Sequence, residues 1–106
     1  MSKSSTNTTD PDWLDNPHAG DMLVSEFMER LGLTAATLAA SLAIAPARLE
    51  GVIAGRIRMD ADLDLRLGRF FQMSEGFFLT LQDDYELLEA KRALNGALER
   101  IVPRAA

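Results

Sequence analysis

Residues 33–56 constrain the fold more than any other stretch, because they hold two short helical patterns separated by a tight turn. Thr34 is a favourable N-cap for the first helix, since its hydroxyl can accept a hydrogen bond from a free backbone N–H. Pro46 is tolerated in the first turn of the second helix, where no N–H is needed, and Gly55 can end that helix. The pattern predicts a helix-turn-helix, whose second helix can enter the major groove of DNA.

The rest of the chain also carries apolar residues at helical spacing, and strand-like alternation is lacking. We expect one helix over about 20–31 and another that starts at Asp60. Ser74 is expected to cap a last helical region that continues to Val102, with a bend near Asp83-Asp84. The sequence therefore predicts an all-α fold of five or six helices.

Composition limits the class of protein. With 106 residues the chain is long enough for one small domain. The absence of cysteine excludes disulfides and thiolate metal sites and is compatible with a cytoplasmic protein. The sequence has no long uncharged apolar run, so it predicts neither a membrane span nor a signal peptide. The net charge of −5 is unusual for a protein that binds phosphates and fits better with one that also binds a basic partner.

Three segments are expected along the chain. Residues 1–12 are rich in Ser, Thr and Asn and are predicted to form a flexible tail. Residues 13–82 form the helix-turn-helix domain, and residues 83–106 form a C-terminal helical extension.

The C-terminal extension carries a stripe with alternating steps of four and three residues, made of Leu87, Lys91, Leu94, Leu98 and Ile101. This spacing is typical of a short coiled-coil seam, although a helix packed on its own domain requires the same spacing. Lys91 within the stripe favours a partly wet, self-pairing surface. We therefore predict that the stripe dimerises.

The residues predicted to meet DNA lie at the two helix starts and at the exit of the second helix. They are Thr34, Thr37, Ala45, Pro46, Ala47, Arg48, Glu50, Gly51, Arg56 and Arg58. Arg48 and Glu50 are the only long polar side chains of the second helix, so base readout would fall mainly to them; the alternative for Arg48 is a solvated arginine. Arg56 and Arg58 would contact phosphates, which position the protein without reading sequence. Thr34 could bind a phosphate, cap its helix, or partly do both.

Other candidate sites have plainer explanations. Asp60, Asp62 and Asp64 imitate the first half of a calcium loop, but Leu65 stands where the turn glycine is required. Helix-start carboxylates are the better interpretation. His18 is the only histidine, and we expect it to cap or pack at the first helix. No nucleophile–base pair or phosphate-binding glycine loop is recognisable, so neither an enzyme, a metal nor a cofactor is predicted.

Several motifs together resemble those of the HigA-type antitoxins, members of the Xre-like helix-turn-helix superfamily. They are His18-Ala19-Gly20-Asp21-Met22-Leu23, Leu31-Gly32-Leu33, Leu38-Ala39, Gly55-Arg56, residues 65–71 and residues 74–82. The resemblance runs from about residue 16 to about residue 87. It implies an Xre/lambda-repressor-like fold and a dimeric antitoxin that neutralises a HigB-type ribonuclease toxin. It also implies that the protein binds operator DNA and represses its own operon.

One departure from the family pattern leaves alternatives open. The family usually begins the helix after the turn with Ser and polar or basic residues, whereas this chain has Ala45, Pro46 and Ala47. These side chains form no hydrogen bonds and can at best touch thymine methyl groups. The protein could thus be a toxin-binding antitoxin with degenerate DNA readout. It could also be a stand-alone Xre-like regulator without a toxin.

Overall fold

The computed structural model describes residues 15–105, and within this range the fold is entirely helical. The predicted tail, residues 1–12, and the first two residues of the predicted domain lie outside the described residues. The helices are α1 (19–31), α2 (Ala35–Leu42), α3 (Pro46–Ile53), α4 (Ala61–Phe71) and α5 (Phe77–Leu94), followed by a 3-10 turn at Ala97–Arg100. The middle of α1, Val24–Met28, is π-helical. The all-α prediction is therefore confirmed.

The predicted helix-turn-helix is formed by α2 and α3. Thr34 caps α2 reciprocally: its Oγ1 accepts a hydrogen bond from the Thr37 N–H at 3.1 Å, and the Thr37 Oγ1 accepts one from the Thr34 N–H at 3.1 Å. Ala43 ends α2 in the left-handed conformation, with φ of 59°. Pro46 then occupies the first turn of α3, as expected. The prediction from residues 33–56 is confirmed.

The core lies where α1 and α5 pack against the helix-turn-helix and α4. Its larger buried members are Leu23, Leu38, Leu42, Leu49, Val52, Met59, Leu63, Leu67 and Phe78. Gly20 allows α1 to pass directly over α3, because a Cβ at this position would collide with the backbone of Val52 and Ile53. Any side chain at residue 20 would therefore push these two helices apart. No helix within residues 15–105 is long and apolar enough to cross a membrane.

The start of α5 differs from the prediction that Ser74 caps it. The N-cap position is Gly76, and the cap is the carboxylate of Asp64, a residue of α4 that is only 1% exposed. Asp64 Oδ2 accepts a hydrogen bond from the Gly76 N–H at 2.7 Å. Its Oδ1 accepts from the N–H groups of Phe78 and Leu79 at 2.8 and 3.1 Å. A buried carboxylate from the preceding helix thus satisfies donors that have no partner within α5.

The C-terminal helix differs from the prediction in where it ends. The helix runs without interruption through Asp83 and Asp84, where a bend was expected. It ends at Leu94 rather than at Val102, because Asn95 adopts a left-handed conformation with φ of 38°. Asparagine tolerates this conformation better than most residues, and the following glycine adopts it freely.

Candidate nucleic-acid interface

The edge of the helix-turn-helix that contains the starts of α2 and α3 presents mostly small side chains to solvent. Thr34, Thr37, Ala45, Pro46, Ala47 and Glu50 are all exposed. Gly51 has a different environment, since it is buried and a Cβ there would collide with the Ile57 side chain. Its lack of a side chain therefore permits packing of the loop after α3, and this glycine offers no exposed surface.

The start of α2 offers backbone donors more readily than side chains. The two threonine hydroxyls lie 3.0 Å apart and are engaged within the cap, and the Thr37 hydroxyl also donates to the Thr34 carbonyl oxygen. The first N–H groups of a helix have no partner inside that helix. A phosphate at this point would be bound mainly by backbone N–H groups and by the helix dipole.

Arg48 points toward the start of α4 instead of standing free in solvent. Its Nη2 lies 3.0 Å from Asp60 Oδ1, its Nη1 lies 2.9 Å from Asp62 Oδ2, and its side chain is 30% exposed. The hydrogen bond to Asp62 is the main cause that raises the pKa of Arg48. Hydrogen bonds from Arg66 and then Arg48 lower the pKa of Asp62. The candidate base-reading cation is therefore neutralised by two carboxylates.

Arg58 is likewise occupied, but by α5. Its Nε lies 2.6 Å from Glu86 Oε2 and its Nη2 lies 3.1 Å from Asp83 Oδ1. The hydrogen bond to Glu86 is the main cause that raises the pKa of Arg58. Hydrogen bonds from Arg58 and then Gln82 lower the pKa of Glu86. Arg48 and Arg58 are thus turned toward different helices.

Arg56 differs from the other two arginines of this region. It is exposed, and within residues 15–105 it forms no ion pair. It follows the left-handed Gly55, which ends the turn after α3. Of these three arginines, Arg56 is therefore the one whose charge has no carboxylate partner within residues 15–105.

His18 caps α1 and packs against α5, which confirms its predicted role. Its Nδ1 accepts hydrogen bonds from the N–H groups of Gly20 and Asp21 at 3.0 and 3.3 Å. Its ring meets the ring of Tyr85 edge-on, with the centroids 5.8 Å apart. Among the described residues, no group of three His, Cys, Asp or Glu side chains could hold a metal ion.

The predicted dimerisation stripe is exposed but does not lie on one helix. Leu87, Lys91 and Leu94 belong to α5, whereas Leu98 lies in the 3-10 turn and Ile101 follows it. The exposed fractions of Leu87 and Ile101 are 59% and 66%. A coiled-coil seam along a single helix could extend only as far as Leu94. Dimerisation through this stripe stays a prediction.

Sequence reasoning missed the contribution of Arg66 to this region. Its Nε lies 2.9 Å from Asp62 Oδ2, and its Nη1 donates to the carbonyl oxygen of Leu42 at 2.8 Å. The spacing of four residues between Asp62 and Arg66 is the signal that could have indicated the ion pair. No pattern in the sequence around Arg66 indicates its hydrogen bond to the carbonyl oxygen of Leu42 at the end of α2.

Comparisons with known proteins place this fold. No family model matches the chain. Virulence-associated protein I of Dichelobacter nodosus is 32% identical over 75 residues, which are 71% of this chain and 69% of that protein.

Two solved structures are similar to this protein over most of its chain. An addiction module antidote protein of the HigA family from Coxiella burnetii is 30% identical; the match has a TM-score of 0.79 and covers 87% of this chain and 100% of the other. The Pseudomonas aeruginosa antitoxin HigA, solved with the higBA promoter, is 27% identical; that match has a TM-score of 0.78 and covers the same shares. Together with the motifs and the helix-turn-helix geometry, these similarities show that the chain belongs to the HigA family of helix-turn-helix antitoxins.

Proposed function

We propose that the protein is a cytoplasmic antitoxin that neutralises a HigB-type toxin and, as a homodimer, represses its own operon by binding operator DNA. The observation that carries this proposal is the helix-turn-helix of α2 and α3, whose exposed edge lies in a fold that matches a HigA antitoxin solved with its promoter. Two of the similar proteins are a HigA antitoxin and an antidote protein of the HigA family, which supports a non-enzymatic function.

The chemistry of the exposed edge supports a DNA contact of modest selectivity. The start of α2 and Arg56 would bind phosphates, which supply most of the affinity. Ala45 and Ala47 can contact thymine methyl groups, and Glu50 can accept a hydrogen bond from the amino group of cytosine. Few polar groups are available to read bases, so we expect limited discrimination between operator and random duplex.

The toxin partner is supported by charge as well as by family. The chain has a net charge of −5, and a ribonuclease that holds RNA phosphates is expected to be basic. Long-range attraction should therefore raise the association rate. We expect this rate to fall as salt increases, while the dissociation rate changes less.

The direct test combines co-purification with promoter binding. The protein should co-purify with the product of the neighbouring gene, and it should bind its own promoter more tightly than random duplex. Failure to retain any neighbouring product would favour the stand-alone regulator. Equal affinity for promoter and random duplex, with or without the toxin, would remove repression from the proposal.

A charge-matched pair of variants tests the phosphate contact. Arg56→Ala should weaken binding to operator and random duplex alike, with a salt slope shallower by about 0.9 per subunit. Arg69→Ala removes the same charge from an exposed position near the C-terminal end of α4 and should change neither quantity appreciably. Equal effects of the two variants would contradict a local role for Arg56.

Degenerate DNA readout with retained toxin binding is the second candidate. It is favoured by one observation, namely that carboxylates of the same chain already pair with Arg48 and Arg58. Under this alternative the toxin complex forms normally while the promoter is bound no better than random DNA.

A further inference from the structure

A continuous polar network joins the two helices of the helix-turn-helix to the start of α4. Arg66 Nη1 donates to the carbonyl oxygens of Leu42 and Ala43 at 2.8 and 3.4 Å, at the end of α2. Arg66 Nε contacts Asp62, and Asp62 in turn contacts Arg48 on α3, both at 2.9 Å. We refer to Asp60 and Asp62, which together hold the Arg48 guanidinium, as the carboxylate clamp.

The two carboxylates of the clamp are less free to move than the arginine that they hold. Asp60 is the N-cap of α4, where its Oδ1 also accepts a hydrogen bond from the Leu63 N–H at 2.9 Å. Asp62 is held by Arg66, which is itself attached to the end of α2. Both carboxylates are therefore anchored to the fold. Arg48 is the partner that can leave, because its long side chain extends from α3 to reach them.

We propose that Asp60 and Asp62 lower the affinity of the protein for DNA by holding Arg48 away from the phosphate backbone and from base edges. This inference depends on the DNA binding proposed above. Non-specific affinity comes almost entirely from phosphates neutralised by cations, and the clamp cancels the charge of this cation. At the operator, Arg48 exchanges the carboxylates for the edge of a guanine, where two hydrogen bonds replace those that it loses. Because Arg48 must leave the carboxylates before it contacts any duplex, the clamp lowers the affinity for operator and random DNA and does not widen the ratio between them.

The first test uses Asp62→Asn in the full chain. Asparagine has nearly the same size, and Arg66 keeps its carbonyl acceptors, so α4 should remain intact. Release of Arg48 should strengthen binding to random duplex about tenfold at low salt and steepen the salt slope by about 0.9 per subunit. Binding to the operator should gain at least as much, because Arg48 must leave the clamp there as well.

Two further variants separate the clamp from net charge and from helix capping. Asp84→Asn removes the same charge from an exposed residue of α5 that has no ion pair within residues 15–105, and it should change the affinity for random duplex less than about threefold. Asp60→Ser keeps a good N-cap but removes a carboxylate from Arg48. It should therefore resemble Asp62→Asn.

The inference also requires that the increase in affinity caused by Asp62→Asn depends on Arg48. In an Arg48→Ala background, Asp62→Asn should no longer strengthen binding to random duplex. A gain that persists there, or one no larger than that of Asp84→Asn, overturns the inference even if the wild type prefers its operator. Absence of DNA binding by both the wild type and Asp62→Asn contradicts this inference and the proposed function together.

Discussion

The helix-turn-helix and the C-terminal end of the chain differ in the chemistry of their surfaces. Thr34 and Arg48 of the helix-turn-helix have partners within the chain, namely the helix cap and two carboxylates. The C-terminal end instead leaves Leu87 and Ile101 more than half exposed. A region whose groups have internal partners can hold its shape alone, whereas the exposed apolar side chains of the C-terminal end are available for the contact with a second copy that is predicted for this stripe.

A matched pair of leucine variants should give the largest contrast between the two regions. Leu49 of α3 is 0% exposed and Leu98 is 49% exposed. Leu49→Ala should lower the free energy of unfolding by about 3 kcal/mol, because it leaves a cavity in the core. Leu98→Ala should lower it by less than about 1 kcal/mol. Urea unfolding at low protein concentration measures both, and similar losses would contradict the difference in burial.

The next effect concerns the junction between the two regions. Asp64→Ala removes the carboxylate that accepts three backbone hydrogen bonds at the start of α5. The free energy of unfolding should fall by about 2–3 kcal/mol, since the donors of Phe78 and Leu79 lose a charged acceptor. Thermal and urea unfolding can be compared with Ser74→Ala, which should have little effect. A larger loss in Ser74→Ala would restore the sequence-based capping prediction.

The C-terminal surface can be tested by replacing Leu94 and Leu98 together with Glu. A carboxylate at a buried interface is strongly disfavoured, so dimer affinity should fall at least tenfold. The fold should survive, because both side chains are exposed in the single chain. Sedimentation at micromolar concentration and circular dichroism measure the two properties. An unfolded variant would indicate that the stripe belongs to the domain core.

The smallest effect is expected from the surface ion pairs at acid pH. The pKa of Asp62 and that of Glu86 are lowered by their arginine partners. The resulting stability is fully present above the ordinary carboxyl pKa and is lost as the pH falls through the lowered pKa. Stability should therefore decline below about pH 5, and Asp62→Asn should decline less steeply than the wild type. Identical acid profiles would indicate that this pair does not contribute.

The sequence predicted the helix-turn-helix well because its signals are local. The reciprocal cap of Thr34, the proline of α3 and the glycine after it act within a few residues of their positions. His18 was also predicted as a cap or packing residue of α1, and it does both. Local hydrogen bonds and backbone preferences were enough for these elements.

Contacts between distant residues could not be predicted in the same way. The capping of α5 by Asp64 joins residues 12–15 positions apart, and the link from Arg66 to Leu42 spans 24. The prediction that the C-terminal stripe lies on a single helix was wrong for another reason. Apolar spacing alone indicated a helix to Val102, whereas the left-handed preference of Asn95 and the following glycine ended it.

Hydrogen exchange with and without an operator duplex tests the central contrast most directly. If the helix-turn-helix is the DNA surface and the C-terminal end is a protein surface, the duplex should slow amide exchange in residues 34–37 and 45–58. Exchange in residues 87–101 should stay unchanged at a protein concentration where the dimer is already formed. Slower exchange confined to residues 87–101, or none in either region while the duplex is bound, would contradict the account.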